Sequence, residues 1–146
     1  MSETEHPARR AGLLSQKYVS ERNRDAWLDL WAEEGVIADP VGPSPLDPKG
    51  DGHQGKAAVT AFYDNAISKV DVSFDYPRSY AAGNECAFTG RVYSKLPDGS
   101  ENASEGVFLY RVNDEGKILS LRAFWEFERP TLDADIHPPV GRERDA

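Results

Sequence analysis

Cysteine is almost missing from this chain: Cys86 is the single one in 146 residues, which leaves no intrachain disulfide and no cysteine-based metal cluster. Set beside Ala87 and Phe88, it reads as a small core residue. Long apolar runs are lacking as well, and no segment approaches the roughly 18 consecutive apolar residues of a membrane span. Basic residues are outnumbered, with 17 Lys and Arg against 25 Asp and Glu and a formal net charge of −8. That balance argues against nucleic acid and anionic membrane surfaces as partners. The N-terminal stretch, with Glu3, Glu5, Arg9 and Arg10, carries no apolar core of a signal peptide, and the cytoplasm is the expected compartment. There is no His/Cys/carboxylate cluster at ligand spacing and no glycine-rich phosphate loop after a strand, so neither metal nor organic cofactor is expected. No internal repeat or linker divides the chain. A single domain over residues 1–146 is expected, with an ordered core over about 10–129 and mobile tails on either side.

What is present is an ordinary globular pattern, with enough length to bury about 70% of the unfolded surface. Leu13, Leu14, Tyr18 and Val19 recur at helical spacing and predict a helix over about 10–22. Asn23 is a candidate cap for a second helix over about 24–34, on which Trp27, Leu28, Leu30 and Trp31 form an apolar stripe. Gly35 is placed to close it. Val59, Phe62, Tyr63 and Ile67 share one face of a third helix, from Lys56 to about Lys69. From Val70 the period changes. Val72, Phe74 and Tyr76 alternate with Ser73 and Asp75, the mark of a half-buried strand. Further strands are expected over Glu85 to Leu96, Glu105 to Val112 and Lys117 to Glu128, joined by turns at Pro97-Asp98-Gly99-Ser100 and Asn113-Asp114-Glu115-Gly116. Pro130 ends the sheet, and the tail beyond it, with Pro138 and Pro139, is expected to be mobile. Helices segregated from a hairpin-linked sheet make an α+β domain. A curved sheet wrapped around helices leaves a conical cavity suited to an apolar small ligand.

One short strand lies between the second and third helices. Val36-Ile37-Ala38 ends in Asp39, and Pro40, Gly42 and Pro43 stop regular structure there. Proline after Asp39 biases it toward extended backbone angles and fixes the direction of its carboxyl group. Such an aspartate either accepts hydrogen bonds from its own turn or faces whatever the fold encloses. The stretch from Pro43 to Gly55, with three prolines and three glycines, is a loop by composition. It contains His53, the only histidine away from the chain ends.

Several separated pieces then carry a resemblance. Gln16-Lys17-Tyr18-Val19, Trp31-Ala32-Glu33-Glu34, Asp39-Pro40-Val41-Gly42, Ala61-Phe62-Tyr63, Arg111-Val112-Asn113 through Gly116-Lys117, and Arg122-Ala123-Phe124-Trp125 follow in order. Together they resemble the ketosteroid isomerase branch, akin to the SnoaL-like cyclases, of the nuclear transport factor 2-like superfamily. The resemblance implies a cone-shaped roll of three N-terminal helices packed on a curved, mainly antiparallel sheet, and a homodimer. It also implies proton transfer within a hydrophobic, steroid-like small molecule. Asp39 would be the base, Tyr18 the oxyanion donor and Tyr63 its support. Leu121, Ala123 and Trp125 would form an apolar wall, with Trp31, Phe62, Phe88, Phe108 and His53 completing the substrate site. Related folds put the same carboxyl to dehydration, cyclisation or epoxide opening, and a non-catalytic binding module is the third reading. Two departures bear on chemistry. The family's protonated aspartic acid falls on Phe108, which cannot donate. Tyr18 and Asp39 stand 21 positions apart (39 − 18), about one helical turn short of the family pattern; without a gap, Ser15 takes the tyrosine's place.

Overall fold

Residues 5–126 of the chain are described by a computed structural model. The first helix, α1 (Pro7–Ser20), starts where His6 turns its ring Nδ1 onto the Ala8 amide at 3.1 Å and Pro7 occupies the first turn. Proline suits that turn because its missing N–H has no intrahelical partner there in any case. Ala8, Ala11, Ser15 and Val19 form the buried stripe. Asn23 accepts from the Ala26 amide at 3.3 Å and caps α2 (Arg24–Asp29).

That second helix is shorter than its apolar stripe predicts. Trp31 does not continue it but opens strand β1 (Trp31–Ala38), and Gly35 lies inside the strand rather than at a helix end. The cause is visible in the sheet. Strand β1 pairs in parallel with β6 (Ile118–Phe124), Val36 opposite Ser120 and Ile37 opposite Leu121, so tertiary pairing overrides the local helical period. The two tryptophans still meet, with ring centroids 5.3 Å apart, but across the junction of helix and strand. At Gly35 a Cβ would stand 2.6 Å from Trp31 Cε3, which is why a glycine is needed there.

The loop read over 43–55 also holds more structure than its composition suggests. His53–Gln54 form a short strand, β2, antiparallel to β1, with His53 opposite Ile37. The Asp47 carboxylate accepts from the amides of Gly50 and Gly52 at 3.3 and 2.8 Å and pins the turn before it. Helix α3 (Lys56–Asn65) follows and gives way to one tighter turn at Ile67–Lys69.

Strands β3 (Asp71–Ala82), β4 (Glu85–Lys95) and β5 (Glu101–Val112) complete a six-stranded sheet of order β2-β1-β6-β5-β4-β3. All neighbours are antiparallel except β1 and β6. This is the expected α+β architecture, three helices against a curved, mainly antiparallel sheet. Of the last strand, the predicted residues beyond 126 lie outside the described part of the chain, as does the tail after Pro130. No described helix is long and apolar enough to cross a membrane. Cys86 is buried, as a small core residue should be.

The curvature has a local origin. Gly90 on β4 is paired directly with Gly106 on β5, so neither strand carries a side chain at this point. A Cβ on Gly106 would overlap the Phe124 carbonyl oxygen, and one on Gly90 the Asp75 carbonyl oxygen. Gly106→Ala is therefore expected to destabilise the fold by about 3 kcal/mol, because backbone on a neighbouring strand must move. Urea titration measures this; an unchanged midpoint would show that the sheet does not need its bend there.

Candidate active site

Helices α1–α3 and the inner face of the sheet enclose a cavity of about 480 Å³, within the usual range for small-molecule sites. Asp39 borders it. The residue follows directly on β1, and the Val41 amide donates to the Ala123 carbonyl at 2.8 Å, which holds the segment alongside β6. Two residues further on, Trp125 donates its indole N–H to Asp39 Oδ1 at 2.6 Å. The expected wall residue is thus also a polar clamp. It fixes one carboxylate oxygen by a charge-assisted bond, and no hydrogen bond from the described residues engages the other. Burial pushes the Asp39 carboxyl above its ordinary value, and the indole N–H and the nearby His53 only partly offset this. His53 lies against the Phe62 ring, centroids 4.6 Å apart, behind the surface of the cavity.

A second polar group lines the same cavity. Ser15 is 2% exposed, and its Oγ accepts from Trp27 Nε1 at 3.0 Å and from the Tyr110 hydroxyl at 3.1 Å. A proton count is informative here. Two hydroxyls carry two hydrogens, and the bond between them uses one. Whichever way that bond runs, one hydrogen is left over, and no acceptor among the described residues takes it. Ser15 and Tyr110 both line the cavity, so the spare hydrogen is available to a ligand. Burial pushes the Tyr110 phenol up, with the Asp39 charge adding to the shift, and keeps it a neutral donor. Tyr76 stacks on Phe108 at 4.8 Å and is likewise pushed up by burial, with Tyr110 and Asp39 adding to the effect.

The residues expected from the sequence divide accordingly. Asp39, Phe62, Phe108, Leu121 and Trp125 line the cavity. Trp31, Phe88 and Ala123 are buried in the core around it. Tyr63 packs against Trp27 in a tilted arrangement, ring centroids 5.1 Å apart, and braces the residue that donates to Ser15. Tyr18 is half-buried, with the Lys17 ammonium 5.5 Å from its ring centroid, and is not among the lining residues; Ser15, one turn earlier on α1, is. On α1 it is thus Ser15, and not Tyr18, that borders the cavity. Tyr110, Tyr76 and Trp27 were not singled out as site residues. Strand alternation was the signal for the first, since Phe108 and Tyr110 must share a face. Among the described residues no group of three His, Cys, Asp or Glu side chains gathers to hold a metal ion.

Residues 16–121 match the model of the SnoaL-like domain. Of solved structures, RV0760c from Mycobacterium tuberculosis, in complex with estradiol-17beta-hemisuccinate, is 33% identical, with 88% of this chain and 100% of that one covered and a TM-score of 0.82. Delta 5-3-ketosteroid isomerase from Mycobacterium sp. is 32% identical over 87% of this chain and 98% of its own, also with a TM-score of 0.82. SalBIII, an epoxide hydrolase/cyclase-like enzyme of pyran ring formation in polyether salinomycin, shares the fold at 22% identity and a TM-score of 0.71, over 83% of this chain and 92% of its own. No curated protein matches the chain.

Proposed function

The chain belongs to the SnoaL-like family of the nuclear transport factor 2-like superfamily, and from that premise we propose that it moves a proton between two carbons of a neutral, hydrophobic, steroid-like ketone. The observation that carries this reading is one carboxyl and one spare hydroxyl hydrogen bordering the same apolar cavity. The unclamped oxygen of Asp39 takes a proton from the carbon beside the ketone. The electron pair left behind passes to the carbonyl oxygen, giving an enolate. The Ser15–Tyr110 pair donates to that oxygen in place of the tyrosine and protonated acid of the isomerases. Asp39, now neutral, returns the proton at the far end of the conjugated system. Its raised pKa brings the carboxyl closer to the working pH and makes it a stronger base for the first proton transfer.

Relatives at about one-third identity, one named a ketosteroid isomerase and one holding a steroid ester, support the substrate class. The assay is the rise in ultraviolet absorbance as a 5-ene-3-ketosteroid becomes conjugated. Enzyme-dependent conversion is expected. A second reading, a binding protein without turnover, is favoured by Phe108, whose ring stacks on Tyr76 where the isomerases place an acid. Tight binding of the ketone with no conversion would select that second reading over the first.

A further inference from the structure

The cavity has a second polar end. On β5 the series on the cavity face runs Tyr110, Phe108, Gly106, half-buried Ser104 and, exposed at the outer end, Asn102. On β4 it runs Phe88, Gly90, Val92, Ser94, and β3 adds Tyr76, Phe74 and Val72. Residues of one face thus change from aromatic, past the facing glycines, to aliphatic and then to neutral polar. Ser94 stands directly opposite Asn102, and Ser104 opposite Val92. All three polar residues line the cavity together with Tyr110 and Asp39. Their side chains make no hydrogen bond with any described residue. Among the described residues the lining contains no Lys, Arg or His to offer a cation to an anionic group.

We propose that Ser94, Asn102 and Ser104 form a distal subsite that hydrogen-bonds a neutral oxygen, a hydroxyl or ketone, at the end of the ligand opposite the one that meets Asp39. The ligand class is therefore an elongated, rigid, apolar body with a neutral oxygen at each end. Phe108 and Ser104 are four positions apart (108 − 104), at most about 13 Å at the rise of a strand, and the bend at Gly106 shortens the span further. That length accommodates a fused-ring skeleton. A short cyclic ketone would leave the outer part of the cavity wet and its polar groups unused. This inference rests on the reading of the cavity as a steroid-like site, but it concerns binding and needs no turnover.

The test is equilibrium binding, followed by quenching of tryptophan fluorescence, with two phenolic probes. One is estradiol; the other is its analogue lacking the 17-hydroxyl group. The intact protein is expected to bind estradiol about three- to tenfold more tightly, the contribution of a net hydrogen bond. In the triple variant Ser94→Ala/Asn102→Ala/Ser104→Ala the preference should vanish while the analogue binds as before. Equal binding of both probes by the intact protein would overturn the subsite, and so would a preference that survives in the triple variant. If neither probe binds, the subsite falls together with the steroid-like reading. If the preference is present but no ketone is turned over, the subsite stands and only the catalytic reading fails.

Discussion

Asp39→Asn should lower kcat/KM for a 5-ene-3-ketosteroid by about 10²- to 10⁴-fold, the usual contribution of a positioned general base. The substitution is conservative in the respect that matters for folding. An asparagine oxygen still accepts from Trp125 Nε1, so the clamp survives and only the exchangeable proton site is lost. The pH dependence carries the same signature. Because burial raises the pKa of Asp39, kcat/KM of the intact protein should fall as pH drops through a value above that of an ordinary aspartate. The residual rate of the variant should not follow that curve. Stability moves in the opposite sense. A carboxyl with a raised folded-state pKa contributes most to stability below its unfolded pKa, and that contribution is lost as pH rises through the folded value. Asp39→Asn should therefore leave the melting temperature at pH 7 unchanged or higher. A variant that was inactive because it had lost its fold would melt lower, and this comparison separates the two outcomes.

The second large effect concerns the two hydroxyls. Ser15→Ala alone leaves Tyr110 with a free hydrogen, and Tyr110→Phe alone leaves Ser15 with one. Each single change should lower kcat by about tenfold or less, since a donor remains. Together they remove both hydrogens, and the double variant should lose about 100- to 1,000-fold, as for other lost oxyanion donors. The combined loss thus exceeds the product of the single losses. Ser15→Ala also orphans the Trp27 indole N–H, so it should cost about 1–3 kcal/mol of stability that Tyr110→Phe does not. Strictly multiplicative losses would mean that the two groups do not share one role.

Asp39 was legible in the sequence because punctuation marks it: an apolar strand ends there and prolines follow. The long strands were legible because alternation in Val72, Phe74 and Tyr76, and turns such as Asn113 to Gly116, are local signals. Trp31 was misplaced because Trp27 and Trp31 fit a helical face and a strand junction equally well, and only the partner strand β6 decides between them. The short strand at His53–Gln54 was hidden because two residues carry no period, and its pairing with Ile37 is a tertiary fact. The position opposite Asp39 turned on a single helical turn. A tyrosine was the familiar donor, but α1 presents Ser15 to the cavity, and Tyr110 reaches it from a strand 95 residues away in the chain. A hydroxyl pair assembled from a helix and a distant strand has no signature in linear spacing.

Label transfer within a single turnover addresses the proton shuttle most directly. A 5-ene-3-ketosteroid carrying deuterium on the carbon between the ketone and the double bond would be converted under single-turnover conditions, and the product analysed for the position of the label. If the Asp39 carboxyl picks up the proton and returns it inside a cavity shielded from bulk water, a substantial share of the deuterium reappears on the far carbon of the conjugated product. Product with no deuterium on that carbon, or no product at all, would contradict the account.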